Sequence, residues 1–128
     1  MKLLLDSCTF LWIAGDDAKL SNQARALFLA EEHEVFLSPV SVWEIVVKHS
    51  LGRLDLPGDP ARWIVQQRKR HGIEPLPLDE DAVLALLRLP THHLDPFDRM
   101  LVCQALTQGM TILTPDELIR QYPANVVW

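Results

Sequence analysis

The sequence has few cysteines, no long apolar run and no excess of basic charge, and each shortage excludes a class of protein. Cys8 and Cys103 are too few and too far apart for a disulfide framework or a zinc knuckle. We expect both to be small buried side chains in a reducing compartment, which indicates the cytoplasm. No apolar run approaches the ~20 residues that a membrane-spanning helix needs. The apolar start of the chain ends at Asp6 and is too short for a signal peptide.

Basic charge is also scarce, with 12 Lys and Arg against 17 Asp and Glu and a formal net charge of −5. This balance argues against a protein that holds nucleic acid through bulk positive charge, so any nucleic-acid chemistry needs a local device. The sequence has no glycine-rich phosphate loop, no Cys-x-x-Cys and no Gly-x-Ser-x-Gly. A length of 128 residues with 48% apolar and 23% charged residues predicts one compact domain, residues 1–128.

Short apolar runs alternate along the chain with longer stretches of helical periodicity. The first run, Lys2 to Leu5, does not alternate with polar residues, which is typical of a strand buried on both faces. The predicted strands cover 2–5, 35–37, 110–113 and 125–128, with a proline-containing edge segment at 73–78. The predicted helices cover 21–32, 38–52, 60–71, 79–88, 95–108 and 114–122, with a short helix around Leu11 and Trp12. This alternation predicts an α/β fold around a mostly parallel sheet.

Four acidic residues fall at the ends of these predicted elements. Asp6 follows the first strand, Asp116 follows the strand that ends at Leu113, and Glu44 and Asp98 lie in the first turns of helices. Carboxylates gathered at one sheet edge repel each other unless a cation sits among them. Hard cations such as Mg²⁺ take oxygen ligands and can orient a water for displacement at phosphorus. The pattern therefore indicates metal-dependent phosphodiester hydrolysis.

The same acids also have purely structural interpretations. Asp98 could complement the dipole of a helix capped by Asp95, and Glu44 has Lys48 four residues on as an ion-pair partner. Asp6 could simply cap the helix that follows it. Asp116 stands in a first turn in which Thr114 and Glu117 could form a capping box.

Two further groups carry weaker signals. The run Arg68-Lys69-Arg70-His71 is predicted to be a solvated helix face rather than a phosphate-binding patch. The loop pair His92 and His93 lies near the start of the Asp98 helix and could touch substrate or metal. It is nevertheless predicted to be exposed and inert, because hard-cation sites prefer oxygen ligands.

Six short motifs occur in order along almost the whole chain. They are LLLDS (3–7), SVWEI (41–45), LGRLDLP (51–57), LPTHHLDPFDR (89–99), TPD (114–116) and VVW (126–128). This ordered set resembles PIN-domain ribonucleases, specifically the VapC-type toxins of bacterial toxin–antitoxin pairs.

The resemblance implies a three-layer α/β/α sandwich and a function as a Mg²⁺- or Mn²⁺-dependent endoribonuclease. Asp6, Glu44 and Asp98 match the central acids of the family, and Asp116 matches its more variable fourth acid. The resemblance further implies a homodimer that cleaves RNA and is inhibited by a VapB-like antitoxin. The candidate accessory residues are Ser7, Asp95, Arg99 and Thr114. Asp95 competes with Asp98, and Glu117 with Asp116, for the role of ligand.

Two alternatives remain from the sequence. One is a non-catalytic PIN-type binding or assembly module. The other is a receiver or dehalogenase-like phosphotransfer domain, although Cys8 stands where a dehalogenase needs its second aspartate. The sequence leaves open which RNA is cut and whether one or two ions bind. If metal supplies the missing positive charge, RNA affinity should depend on divalent cations, with a weaker salt-sensitive contribution from Arg68, Lys69, Arg70 and Arg99.

Overall fold

A five-stranded parallel sheet forms the centre of the computed structural model, which describes Met1 to Trp128. The strands are β1 (Lys2–Leu5), β2 (Glu34–Leu37), β3 (Glu74–Pro75), β4 (Thr111–Leu113) and β5 (Asn125–Val127). The helices are α1 (Ser7–Ala14), α2 (Asn22–Leu29), α3 (Pro39–Ser50), α4 (Pro60–Arg70), α5 (Glu80–Ala85), α6 (Pro96–Gln108) and α7 (Glu117–Arg120), with a 3₁₀ turn at Leu86–Arg88. The predicted α/β fold is confirmed, and the sheet is parallel throughout.

The strand order is β3-β2-β1-β4-β5, with β1 in the middle. From β1 the chain builds outward on one side through β2 and β3, and later on the other side through β4 and β5. The boundary between β1 and β4 is therefore the point where the winding direction reverses. In open parallel sheets such a point leaves a crevice beyond the carboxyl ends of the strands, where ligands bind.

The core consists of two apolar clusters, one on each face of the sheet. Leu3 and Leu5 belong to the cluster that contains Phe10 and Ile45. Leu4 points to the opposite face and belongs to the other cluster, which contains residues of α6. All three leucines are fully buried, which explains why the sequence of β1 is apolar without alternation.

Two helix starts that matter for the site use serine or aspartate followed by proline. The Ser38 hydroxyl accepts a hydrogen bond from the Val40 amide before α3, and Asp95 accepts from the amides of Phe97 and Asp98 before α6. Proline at the first helical position fits because its ring sets a helical φ and it needs no amide partner. At the other end of α6, Gly109 adopts a left-handed φ of 66° that ends the helix.

Several predicted elements are longer than the observed ones. The helix predicted to reach Glu32 ends at Leu29, because Ala30 turns to an extended conformation and leads into β2. Only Glu74–Pro75 of the predicted edge segment pairs with the sheet, and Pro77 has no amide hydrogen to extend the ladder. None of the helices is both long and apolar enough to cross a membrane.

The prediction that both cysteines are buried was wrong for Cys8. Cys103 is buried in α6, whereas Cys8 is exposed. The buried residues of α1 are Ser7, Thr9, Phe10 and Ile13, so Cys8 lies outside the face that packs on the sheet. An apolar neighbourhood in the sequence does not reveal which face of a short helix is turned inward.

Candidate active site

Asp6 lies directly beyond the carboxyl end of β1 and is almost completely buried. Its Oδ1 accepts a hydrogen bond from the Thr9 amide at 2.8 Å and thereby caps α1. Its Oδ2 accepts a hydrogen bond from the Thr114 hydroxyl, just beyond β4. Burial raises the pKa of the Asp6 carboxyl above its usual value, although both threonine contacts work in the opposite direction. Asp6 is therefore held rigidly at the point where the sheet reverses its winding.

Glu44 approaches this position from α3. It is 8% exposed, and its Oε1 accepts a hydrogen bond from the Ser7 hydroxyl at 2.5 Å. Its Oε2 lies 3.1 Å from Lys48 Nζ, one helical turn further on. The ion pair predicted with Lys48 is therefore present, but the Ser7 contact also ties Glu44 to the first residue of α1, next to Asp6.

Asp95 and Asp98 bring two more carboxylates to the start of α6. One oxygen each of Glu44, Asp95 and Asp98 lie within 4.8 Å of one another. Asp95 is the helix cap expected from the sequence, and it uses only Oδ1 for this purpose. Its second oxygen remains free, so capping and membership of the acidic group are compatible.

The acidic group is electrostatically unfavourable without a cation. The pKa of Asp98 is raised to about 6, chiefly by burial and further by the negative charges of Asp95, Glu44 and Asp116. The Glu44–Asp95–Asp98 group offers only carboxylate oxygens, the ligands that Mg²⁺ and Mn²⁺ prefer. A hard divalent cation therefore fits the side chains present.

Asp116 stands slightly apart from this group. It caps α7 by accepting a hydrogen bond from the Leu118 amide at 2.8 Å, and its charge contributes to the raised pKa of Asp98. The sequence had suggested Thr114 as the start of this helix. Instead, Thr114 turns its buried hydroxyl to Asp6 and accepts a hydrogen bond from the Asp116 amide. Glu117 is exposed on α7.

The basic candidates do not gather around the acids. Arg99 turns inward, and its Nη1 donates to the Pro90 carbonyl at 2.9 Å and to the Tyr122 hydroxyl at 3.1 Å. Arg70 lines a cavity beside Ile13 at the carboxyl end of α1, whereas Asp6 precedes the first residue of that helix. The run at 68–71 is thus at the far end of α1 from the acidic group.

The prediction that His93 is exposed was wrong. Its side chain is 11% exposed, and its Nε2 lies 3.1 Å from Asp98 Oδ2. Its Nδ1 lies 2.8 Å from the Tyr122 hydroxyl. His92 is exposed, as predicted. The sequence feature that could have predicted this contact is the position of His93 two residues before Asp95. A side chain at this position can reach Asp98 in the first turn of α6.

An apolar surface adjoins the acidic residues. Trp43 is 59% exposed and packs edge-on against Phe97 with ring centroids 4.8 Å apart. Both residues neighbour acids in sequence, Glu44 and Asp98. A hollow of about 220 Å³ lies here, lined mainly by the apolar residues Val40, Trp43, Leu78, Leu86, Leu94, Pro96 and Met100. Exposed apolar surface of this kind is typical of a contact site for another macromolecule.

The family model of the PIN domain matches residues 3–125. Ribonuclease VapC16 of Mycobacterium tuberculosis is 33% identical over 58 residues, which make up 45% of this chain and 41% of that protein. The matched part thus spans less than half of this relative.

Solved structures share the fold along nearly the whole chain. VapBC2 from Rickettsia felis, bound to a DNA fragment from its promoter, aligns with a TM-score of 0.74 and 11% identity, covering 99% of this chain and 98% of that chain. VapBC-1 from nontypeable Haemophilus influenzae aligns with a TM-score of 0.69 and 16% identity, covering 99% and 97%. FitAcB from Neisseria gonorrhoeae aligns with a TM-score of 0.64 and 17% identity, covering 98% and 96%. At these identities the likeness concerns the fold.

Proposed function

This chain belongs to the PIN-domain family, and from that premise we propose that it is a Mg²⁺- or Mn²⁺-dependent endoribonuclease of the VapC type. The observation that carries the proposal is the group formed by Glu44, Asp95 and Asp98, whose oxygens lie within 4.8 Å of one another. Its position beside Asp6, at the reversal point of the sheet, is where a parallel α/β fold places its ligands. The partial match to a ribonuclease supports RNA as the substrate class.

In this function the acids bind the cation and the neighbouring hydroxyl groups orient the acids. We assign Asp6, Glu44 and Asp98 as the principal ligands, with Asp95 beside Glu44 and Asp98 and with Asp116 at the margin of the site. When bound, a hard divalent cation supplies a polarised water and neutralises charge that develops on the phosphate. Ser7 fixes the rotamer of Glu44, and Thr114 fixes that of Asp6. Positive charge brought by the cation replaces the basic surface that a chain of net charge −5 lacks.

A toxin role with a VapB-like antitoxin and a homodimer completes the proposal. VapBC-5 from Mycobacterium tuberculosis, a member of the VapBC family of toxin–antitoxin systems, shares the fold, which supports a partner of this type. The exposed Trp43 and Leu94, at 59% and 83% exposure, provide apolar surface next to the acids for a protein contact. This surface supports an interface with a protein partner.

Substitution of Glu44 tests the proposed chemistry. Glu44→Gln keeps the side-chain shape and an oxygen for Ser7 but removes the charge that binds a cation. We expect RNA cleavage by the purified protein in Mg²⁺ to fall roughly 100-fold or more, since losing several kcal/mol of charge stabilisation has an effect of at least this size. We also expect expression of this variant to stop inhibiting bacterial growth.

Glu80→Gln is the matched control, because Glu80 is an exposed acid in the first turn of α5. It should cleave RNA and inhibit growth as the unmodified chain does. Full activity of Glu44→Gln would refute the assignment of Glu44 as a ligand.

The raised pKa of Asp98 predicts how metal binding depends on pH. A carboxylate must lose its proton to bind a cation, so the proton and the metal compete for Asp98. Because the pKa is raised to about 6, Mn²⁺ affinity should increase as the pH rises toward 6 and level off above it. Below that value the affinity should fall by about tenfold per pH unit for one competing proton. Calorimetric titration between pH 5 and 8 measures this, and a flat profile across pH 6 would contradict it.

A further inference from the structure

A directed series of hydrogen bonds ends on the Asp98 carboxylate. Arg99 Nη1 lies 3.1 Å from the Tyr122 hydroxyl oxygen, which lies 2.8 Å from His93 Nδ1. His93 Nε2 in turn lies 3.1 Å from Asp98 Oδ2. Four side chains are thus connected in a line, two of them from the first turns of α6.

The protons can be assigned so that every link has one donor and one acceptor. Arg99 has only donors, so it donates to the Tyr122 oxygen. In the tautomer that has its proton on Nε2, His93 accepts from the Tyr122 hydroxyl at Nδ1 and donates from Nε2 to Asp98. Tyr122 is 3% exposed, and a buried tyrosine hydroxyl needs such partners.

This network, formed by His93, Tyr122, Arg99 and Asp98, connects three segments of the fold. His93 lies in the loop before α6, Arg99 lies in the first turns of α6, and Tyr122 follows α7. Arg99 also donates to the Pro90 carbonyl at 2.9 Å and so anchors the start of the same loop. The imidazole is therefore held at Nδ1 by Tyr122, on the opposite side of the ring from the Nε2 that contacts Asp98.

The other two principal acids are each held by two polar contacts. Asp6 accepts from Thr9 and Thr114, and Glu44 contacts Ser7 and Lys48. The Asp98 carboxylate accepts only the hydrogen bond from His93. Without the imidazole, the Asp98 carboxylate would have no hydrogen bond to select one rotamer.

We propose that His93 is a positioning residue, whose imidazole is oriented by Tyr122 and Arg99 and holds the Asp98 carboxylate in the orientation that binds a divalent cation. The inference rests on the proposed function, since it assigns Asp98 as a metal ligand. Partners of this kind typically change metal affinity by roughly 10- to 100-fold when they are removed.

Mn²⁺ titration by calorimetry tests the inference without requiring catalysis. We expect His93→Ala to weaken Mn²⁺ binding by about 10- to 100-fold, and Tyr122→Phe to weaken it by a smaller factor of the same sign. His93→Gln, whose amide keeps an N–H donor for Asp98, should recover most of the loss. His33→Ala is the control: this histidine precedes β2 at the amino ends of the strands, where it contacts the N-terminal amine, and the Mn²⁺ affinity of this variant should not change.

Kinetics separate positioning from a general structural role. In His93→Ala we expect kcat for RNA to fall at limiting Mn²⁺ and to recover at saturating Mn²⁺, with KM for RNA unchanged. Thermal unfolding shows whether each variant is folded, and Tyr122→Phe and His93→Gln keep the test valid if His93→Ala unfolds. Equal Mn²⁺ affinity in His93→Ala and the unmodified chain, or equal losses in His93→Ala and His93→Gln, would overturn the inference.

The two proposals can fail separately. If the unmodified chain binds Mn²⁺ with the expected ranking of variants but does not cleave RNA, the positioning role stands and the nuclease function fails. If it cleaves RNA with Mn²⁺ but the His93 variants bind Mn²⁺ normally, only the positioning role fails. If the unmodified chain binds no Mn²⁺, both are overturned.

Discussion

Asp98→Asn is expected to abolish RNA cleavage while leaving the protein at least as stable as before. Loss of one ligand removes several kcal/mol of stabilisation at the metal site, so kcat should fall roughly 1,000-fold. The stability of the variant, measured as its unfolding temperature, should not fall. The pKa of Asp98 is raised to about 6 in the folded protein from an ordinary value of 3.8, so ionisation disfavours folding as the pH rises through this range. The asparagine side chain has no charge to bury. The unfolding temperature of the Asp98→Asn variant at pH 7 without metal should therefore match or exceed that of the unmodified chain.

Adding Mn²⁺ should reverse this order. A cation that binds only the folded state stabilises the unmodified chain, whereas Asp98→Asn has lost a ligand and should respond little. Asp81→Asn is the control, because it replaces an exposed aspartate in the first turn of another helix, α5, by the same residue. It should retain both cleavage and the Mn²⁺ response. An active Asp98→Asn variant would show that Asp98 is not a ligand.

Substitutions at Asp6 should separate its structural role from its chemical role. Asp6→Ala removes the cap on the Thr9 amide and leaves the buried Thr114 hydroxyl without its acceptor. A lost cap costs about 1 kcal/mol and an unpaired buried hydroxyl about 1–3 kcal/mol, partly offset because a buried charge is also removed. We expect a net destabilisation of about 2 kcal/mol, which lowers the unfolding temperature by roughly 8 °C in a chain of this size.

Asp6→Asn keeps an oxygen for Thr9 and a polar group for Thr114, so its unfolding temperature should stay close to that of the unmodified chain. Both variants should lose RNA cleavage, because neither carries the charge of a ligand. Ser21→Ala is the control for capping alone, since Ser21 caps α2 through the Ala24 amide. It should lose about 1 kcal/mol of stability and remain active. Equal stability of the two Asp6 variants would contradict the structural role.

The local parts of the structure could be predicted from the sequence because they depend on neighbouring residues. The continuous apolar run of β1 and the Ser38-Pro39 and Asp95-Pro96 helix starts are of this kind. The set of acids at element ends was also visible, since a strand end and a first turn are local features. Spacing suggested that Asp6, Glu44, Asp98 and Asp116 converge, and the structure groups Glu44 and Asp98 with Asp95, which the sequence offered only as a rival of Asp98.

The contacts that orient the acids could not be predicted because they join distant residues. Thr114 reaches Asp6 across 108 positions, and Tyr122 reaches His93 across 29. Both depend on the strand order, which places β4 next to β1, and on the packing of the segment after α7. Taken alone, His93 is a loop histidine and Thr114 a helix cap. Only the tertiary fold turns their polar atoms toward the acids.

The most direct test of the central claim is a calorimetric Mn²⁺ titration of the metal-free protein and of Asp98→Asn, followed by an RNA cleavage assay on the same samples before and after Mn²⁺ is added. The claim is that the carboxylates around Asp98 bind a divalent cation on which RNA cleavage depends. We expect saturable binding to the unmodified chain and cleavage that appears only with Mn²⁺, while Asp98→Asn shows neither. Undiminished cleavage by the metal-free protein, or Mn²⁺ binding that is identical in Asp98→Asn, would contradict the account.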